Sequence, residues 1–444
     1  MSVQRGLQKF WPTRLSLGLL AVAASTQSPQ VLRAQVASDA SSGLGTMVNG
    51  QVGGRCTTGS CVISGGTVAG NNRFFRFNSF DTRGPIQDLL IQSGGQHDLV
   101  VGVTDLAGTY LDKRISLSSP ANLFWLSPGG IRLGPGSGFI NANHLSLSTA
   151  LSLRFANGLF DVFGSTPQQL TGLQGEPLPG AAGLEDSVQQ RTVLGLPAEP
   201  QIQLEGIHIR VDHSLLVDAG PTGTAHVNQS VLNVSSADAL GGTLTVTGRQ
   251  VEVVGDSRLD ARGATGGGLI QVGGSWQNSD PSVRQASQTF VGSSAHLDAS
   301  ATAQGRGGSV VIWSAIKDPL GATAAHGTVL ARGGPSGGNG GRIETSGYRL
   351  NVDQIRVDAG STLGRSGEWL LDPYNITIGS CASSNVSLSF SPTAFTPTDD
   401  NSYVNVTELT NALANTSVII DTGGSLGLQA GDIDVQAPII FTST

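Results

Sequence analysis

Lysine is almost missing from this chain: only Lys9, Lys113 and Lys317 occur among 444 residues. Charged residues of all kinds reach 13% and aromatics 5%. With so few of the long charged side chains that dress helix surfaces, a predominantly helical fold is excluded. No basic run is present to neutralise a phosphate backbone and the formal net charge is −7, so nucleic acid is excluded as a partner. Beyond residue 34 no 18-residue apolar stretch occurs, so no stable membrane span is expected. Cysteine is sparse too: Cys56, Cys61 and Cys381. A zinc site needs four ligands, and no second cysteine pair stands beside the first. The seven histidines form no HxH or HxxxH pair, and no lysine follows a glycine-rich loop as in a nucleotide-binding P-loop. No metal and no cofactor are expected.

What is abundant is glycine, 62 residues, amid Ser, Thr, Val and Asn. These types suit short strands joined by tight turns. Residues 1–34 read as a signal peptide. Arg5, Lys9 and Arg14 precede the apolar run Leu15–Ala24, which is too short to span a bilayer, and cleavage sites are available after Ala23 or Ala34. A short buried helix is the alternative. Export implies an oxidising compartment, where Cys56 and Cys61, separated by Thr-Thr-Gly-Ser, are placed to close a small disulfide loop. Cys381 has no evident mate and is expected to be a free buried thiol or to pair between chains.

Residues 35–164 carry period-two runs such as His144-Leu145-Ser146-Leu147-Ser148, and ten of the chain's phenylalanines and tryptophans. Such alternation puts one strand face in and the other out. Residues 165–200, with five prolines, read as an excursion or linker, with a short amphipathic helix near Glu185–Arg191. Residues 201–378 show a degenerate repeat in which a strand ends in an apolar residue and Asp-Ala, at Asp218, Asp260, Asp298 and Asp358; Leu330-Ala331 stands in a similar place without the acid. Three of these units lead through a Gly-Gly turn into a new strand. One coil cannot bury its own apolar face, and stacked coils can, so 201–378 is expected to be a solenoid shaft. Residues 379–444 are expected to add further coils, one helix over Val406–Ala414 and strands near Val418 and Ile433. No polar cap is evident before Thr444, which suggests a continuation into a longer architecture.

Three stretches give the chain a resemblance. They are Ile63–Phe80 (ISGGTVAGNNRFFRFNSF), Ala121–Ile131 (ANLFWLSPGGI) followed by Gly134-Pro135, and Gly367–Ile378 (GEWLLDPYNITI). In kind, order and separation they resemble the filamentous haemagglutinin family exported by two-partner secretion. Where that family carries Asn-Pro-Asn-Gly, this chain has Ser127-Pro128-Gly129-Gly130. The resemblance implies an all-β fold, a right-handed parallel β-helix with an N-terminal cap and small extra β elements. It also implies that 35–164 is a secretion domain read by an outer-membrane barrel transporter. The protein would then be secreted, or held at the surface of a Gram-negative-type bacterium, after crossing the periplasm. Family members act as adhesins, toxins or haem scavengers, so a host-cell or glycan receptor is a further expected partner.

The candidate partner-recognition residues are Asn122, Leu123, Phe124, Ser127, Pro128, Gly129, Gly130 and Ile131; Pro-Gly at the centre of this stretch also reads as a plain β-turn. The recurrent Asp218, Asp260, Asp298 and Asp358 resemble the paired carboxylates of a carbohydrate-active β-helix enzyme. Catalysis needs one special place, however, and a residue repeated in every unit more simply caps a turn through its backbone N–H groups. No enzymatic activity is expected.

Overall fold

The computed structural model describes residues 35–380, 402–422 and 431–441, and the backbone of Val386–Ser389 and Ala394–Pro397. The expected leader over 1–34 and Cys381 lie outside the described residues. The chain winds as a parallel β-helix. From residue 214 each coil lays one strand on each of three faces: Ser214–Asp218, Thr224–Asn228 and Val231–Asn233, then Thr243–Thr247, Gln250–Val254 and Arg258–Asp260, and onward. Coil stacks on coil in parallel register, giving a long face of 16 strands, a second face of 11 and a third face of six.

Alternation explains the core. On the long face Leu215 pairs with Leu244, then Ile270, Val310, Ile343, Trp369 and Val418, so one row of inward side chains runs along the molecule. Val251 and Val253 do the same on the second face, and Leu259, Leu297 and Val329 on the third. These join one apolar cluster reaching from Val36 to Ala412. Each fully buried Leu, Ile or Val contributes about 1.5–3 kcal/mol, and it does so only because a neighbouring coil covers it. At the corner leading into the long face the coils touch backbone to backbone. A Cβ on Gly308 would lie 2.0 Å from the Gly268 carbonyl oxygen, and one on Gly341 would lie 2.1 Å from that of Gly308.

The first coil is closed by antiparallel strands. Gln35–Ala37 pairs with Ser79–Asp81 and Arg55–Cys56, and Thr46–Val48 pairs with Gly59–Gly65 and Gln51–Val52. Cys56 and Cys61 are disulfide-bonded, tying a second-face strand to Gly59–Gly65 on the long-face sheet. The helix near the other end of the described chain spans Val406–Leu413, is capped by Asn405 and buries Leu409 and Ala412 in the main core. No helix among the described residues is long and apolar enough to cross a membrane.

One sequence expectation needs correction. The Asp-Ala units are not all equivalent. Asp260, Asp298 and Asp358 share one register row at the end of the third face, with Leu330 between the last two and Asn233 ahead of the first. Asp218 instead ends a long-face strand, in register with Ser148 and Thr247. Both corners favour an acid for the same local reason: each Asp accepts a bond from the backbone N–H two residues on, at Gly220, Arg262, Ser300 and Gly360. The segment 165–200, expected as an excursion or linker with a short helix near Glu185–Arg191, is an ordered excursion. It forms a helix over Pro167–Leu170 with a capping box from Thr166, a 3₁₀ turn over Gly180–Gly183, and a helix over Val188–Leu194 capped by Ser187 and ended by left-handed Gly195. These elements pack on the outer side of the long face.

Candidate partner-recognition site

The two N-terminal stretches singled out in the sequence come to lie either side of a single coil. Asn72–Phe77 and Arg114–Leu126 flank one strand, Asp98–Val103, and pair with it in parallel. The rows run Asn72–Asp98–Asn122, Phe74–Val100–Phe124 and Phe75–Val101–Trp125. The first row is a polar ladder. The Asn122 amide donates to Asp98 Oδ1 at 2.8 Å, and His97 Nδ1 lies 3.2 Å from the same oxygen. His144 continues the row beside Asn122; burial pushes its pKa down to about 4, so the ring is neutral near pH 7.

Ser127–Gly130 forms the corner between Arg114–Leu126 and Ile131–Leu133. A buried polar chain sets it. Trp125 Nε1 donates to Thr109 Oγ1 at 3.0 Å, Thr109 donates to Ser127 Oγ at 3.0 Å, and Ser127 donates to the Gly130 carbonyl at 2.8 Å. The Gly130 N–H returns to the Ser127 carbonyl. Trp125 also meets Phe80 edge-on, ring centres 4.6 Å apart. Gly129 has no room for a side chain, since a Cβ would sit 2.5 Å from the Asp105 carbonyl oxygen.

The corner is covered. Leu123, Trp125, Ser127, Pro128, Gly130 and Ile131 are buried; Asn122, Phe124 and Gly129 are half-buried. Arg191, from the 165–200 excursion, supplies the cover. Its side chain is 1% exposed, and it donates to the carbonyls of Pro128 (2.9 Å) and Pro197 (3.3 Å), to the Thr149 carbonyl, and to Asp186 Oδ1 (2.7 Å), itself buried. The other end of the excursion clasps the first stretch. The Asn72 amide donates to the carbonyls of Leu173 and Gly175, each at 2.7 Å. Between the two clasps Phe74 packs on Phe155 and Phe160, with Leu170, Leu173 and Leu184 in the same apolar cluster. One strap therefore holds both motif stretches.

The strap residues carried no sequence signal of this role. Arg191 reads as an ordinary charge on a short helix, and two of its three main-chain partners lie 42 and 63 positions away. The structure does not bring the four aspartates together: Asp260 and Asp298 lie on successive coils, Asp358 two coils further on and Asp218 at another corner, and Asp260 and Asp358 are held by Arg262 and Arg332, while Asp218 is held by Arg284.

No family model matches the chain, and no curated protein matches it. Among solved structures it is similar to the HMW1 secretion domain from Haemophilus influenzae, at 17% identity, over 70% of this chain and 95% of that one, with a TM-score of 0.29.

Proposed function

We propose that this chain is an exoprotein of the two-partner secretion kind, in which 35–164 addresses the chain to an outer-membrane barrel transporter and 201–378 is the shaft presented outside as a surface-binding rod. The observation that carries this reading is the arrangement of the two family-like stretches. They lie on coils either side of one strand, Asp98–Val103, and are clasped by one strap.

Burial of the corner dictates when recognition happens. A folded chain offers no edge of Leu123, Trp125 or Pro128 to a partner, whereas an extended chain offers all of them. The transporter therefore reads Asn122–Ile131 before the coils close, by pairing with the extended strand. Folding outside the cell then hides the address and makes release one-way.

Deleting 60–135 should abolish release into the culture medium, and undiminished release would overturn the proposal. In vitro, the periplasmic docking part of the transporter should capture chain freshly diluted from denaturant and leave folded chain unbound. Equal capture of folded chain would remove the order of events argued here.

A further inference from the structure

The third face has a seam. Gly138–Ile140 is the last piece of this face on the long-face sheet, paired with Arg114–Ser116, and His208–Arg210 begins the separate six-stranded sheet. A trough of about 530 Å³ opens there, lined by Arg114, Phe139, Ile140, His208 and Arg210 together with the glycine-rich turn at 136–138. Arg114, His208 and Arg210 are exposed, as is Ile140. Neither arginine has a carboxylate within salt-bridge distance among the described residues, although the chain as a whole is acidic.

The trough leads onto a row of outward side chains fixed by register: His208, Val231, Arg258, His296, Thr328, Arg356. The row contains no acid, and Arg258 and Arg356 are exposed without salt-bridge partners among the described residues. The acids on the strands of this face lie one row over, and they are engaged; Asp212 and Asp256 are exposed in the corners beside it. Arg262 holds Asp260 at 2.6 Å and reaches Asp298 at 3.8 Å, and Arg332 holds Asp358 at 2.6 Å. The unspent charge on the strands of this face is therefore positive, and its two arginines in the row, Arg258 and Arg356, stand three coils apart, about 14 Å at about 4.8 Å per coil.

We infer that the third face binds a linear polysaccharide bearing carboxylate or sulfate groups, one end seated in the Arg114–His208–Arg210 trough and the chain lying along Arg258, His296 and Arg356. Guanidinium groups bind such oxyanions through paired, charge-assisted hydrogen bonds. The apolar Ile140 and the bare glycine backbone suit the C–H face of a sugar ring. The row carries no Phe, Tyr or Trp, which disfavours the stacked bases of a single-stranded nucleic acid. The inference rests on the surface-binding part of the proposed function and not on the export route.

The test uses the folded mature chain and titration calorimetry at low salt with dextran sulfate, oligogalacturonate, uncharged dextran and a single-stranded oligodeoxynucleotide of matched charge. Binding of dextran sulfate or oligogalacturonate, weakened by added salt and absent for dextran, is expected; which of the two binds tighter separates sulfate from carboxylate recognition. Arg114→Gln/Arg210→Gln/Arg258→Gln should lose affinity on the order of tenfold or more, while Arg132→Gln, exposed on the second face, should leave it unchanged. These side chains are exposed, so circular dichroism should show an unaltered fold, and Arg258→Gln alone provides a milder second variant. Failure of both anionic polymers to bind, equal binding by the oligodeoxynucleotide, or full affinity in the triple variant would overturn the inference. Release into the medium is read separately, so failure here leaves the export reading standing.

Discussion

At the scale of single residues, the decisive side chains are polar groups held away from water. Glu344 is fully buried on the outward side of the long face, where its carboxylate accepts from the Gln277 N–H at 2.9 Å and from Ser346 Oγ at 2.9 Å. Burial raises its pKa to about 7, and burial followed by the charge of Asp421 raises Asp372, in register with Ser346, to about 7 as well. The sign follows from linkage: a carboxyl group with a raised pKa in the folded state binds its proton more tightly there. Its stabilising effect is complete below the ordinary carboxyl range and is lost as pH rises through about 7. Unfolding in urea should therefore show stability falling from pH 5 to pH 8, and Glu344→Gln should remove about 2 kcal/mol of that fall. An unchanged pH profile in the variant would show that Glu344 is already ionised in the fold. Which polar residues were legible from sequence follows from reach. Asp260, Asp298 and Asp358 bond to a backbone N–H two residues on, so a local pattern reveals them. Asp98 and Arg191 also reach partners 24 and 63 positions away, Asn122 and Pro128, and no local pattern announces those.

At the scale of elements, strands were legible and docking was not. Leu145, Leu147, Leu244 and Val246 alternate with polar neighbours, and alternation is enough to call a strand and its buried side. The excursion at 165–200 has no such period. Leu170, Leu173 and Leu184 look scattered until the Phe155–Phe160 hairpin folds back to meet them. Its prolines argued for a linker, yet Pro167 opens a capped helix. The misplacement of Asp218 has a similar origin, because two different corners share one local device. Removing the clasp should expose this element. Arg191→Ala leaves Asp186 buried without its cation and is expected to cost about 3–5 kcal/mol. Limited proteolysis should then cut first within 165–200 while the 201–378 fragment survives. Cleavage no faster than in the wild type would mean that the apolar contacts alone dock the strap.

For the whole molecule, stability is a property of neighbours. Each coil is covered by the next, so a fault at one contact is felt by the pair that share it. Gly308→Ala places a methyl group against the Gly268 carbonyl, where backbone meets backbone, and should cost about 3 kcal/mol or more. Gly175→Ala, with open space around it, should stay within about 0.5 kcal/mol. Thermal melts of the two variants check both, and equal melting temperatures would show that the coil spacing yields more readily than the contact implies. The solenoid itself was legible because its repeat is written in the chain; the three-faced coil was not, because the segment joining one face to the next changes length from coil to coil.

That variation is confined in an instructive way. Between long face and second face the chain uses two residues at 248–249, four at 127–130, eight at 314–321 and fifteen at 273–287, while the strands on either side keep strict register. The longest of these, and the 165–200 segment that leaves from the same corner, fold outward, and they join one another where the Ala181 N–H meets the Ser282 carbonyl. A chain built this way has a margin, like a page, where text can be added without disturbing the lines: new sequence enters at one edge, and the ruling of the rod, set by the row of inward side chains, stays as it was.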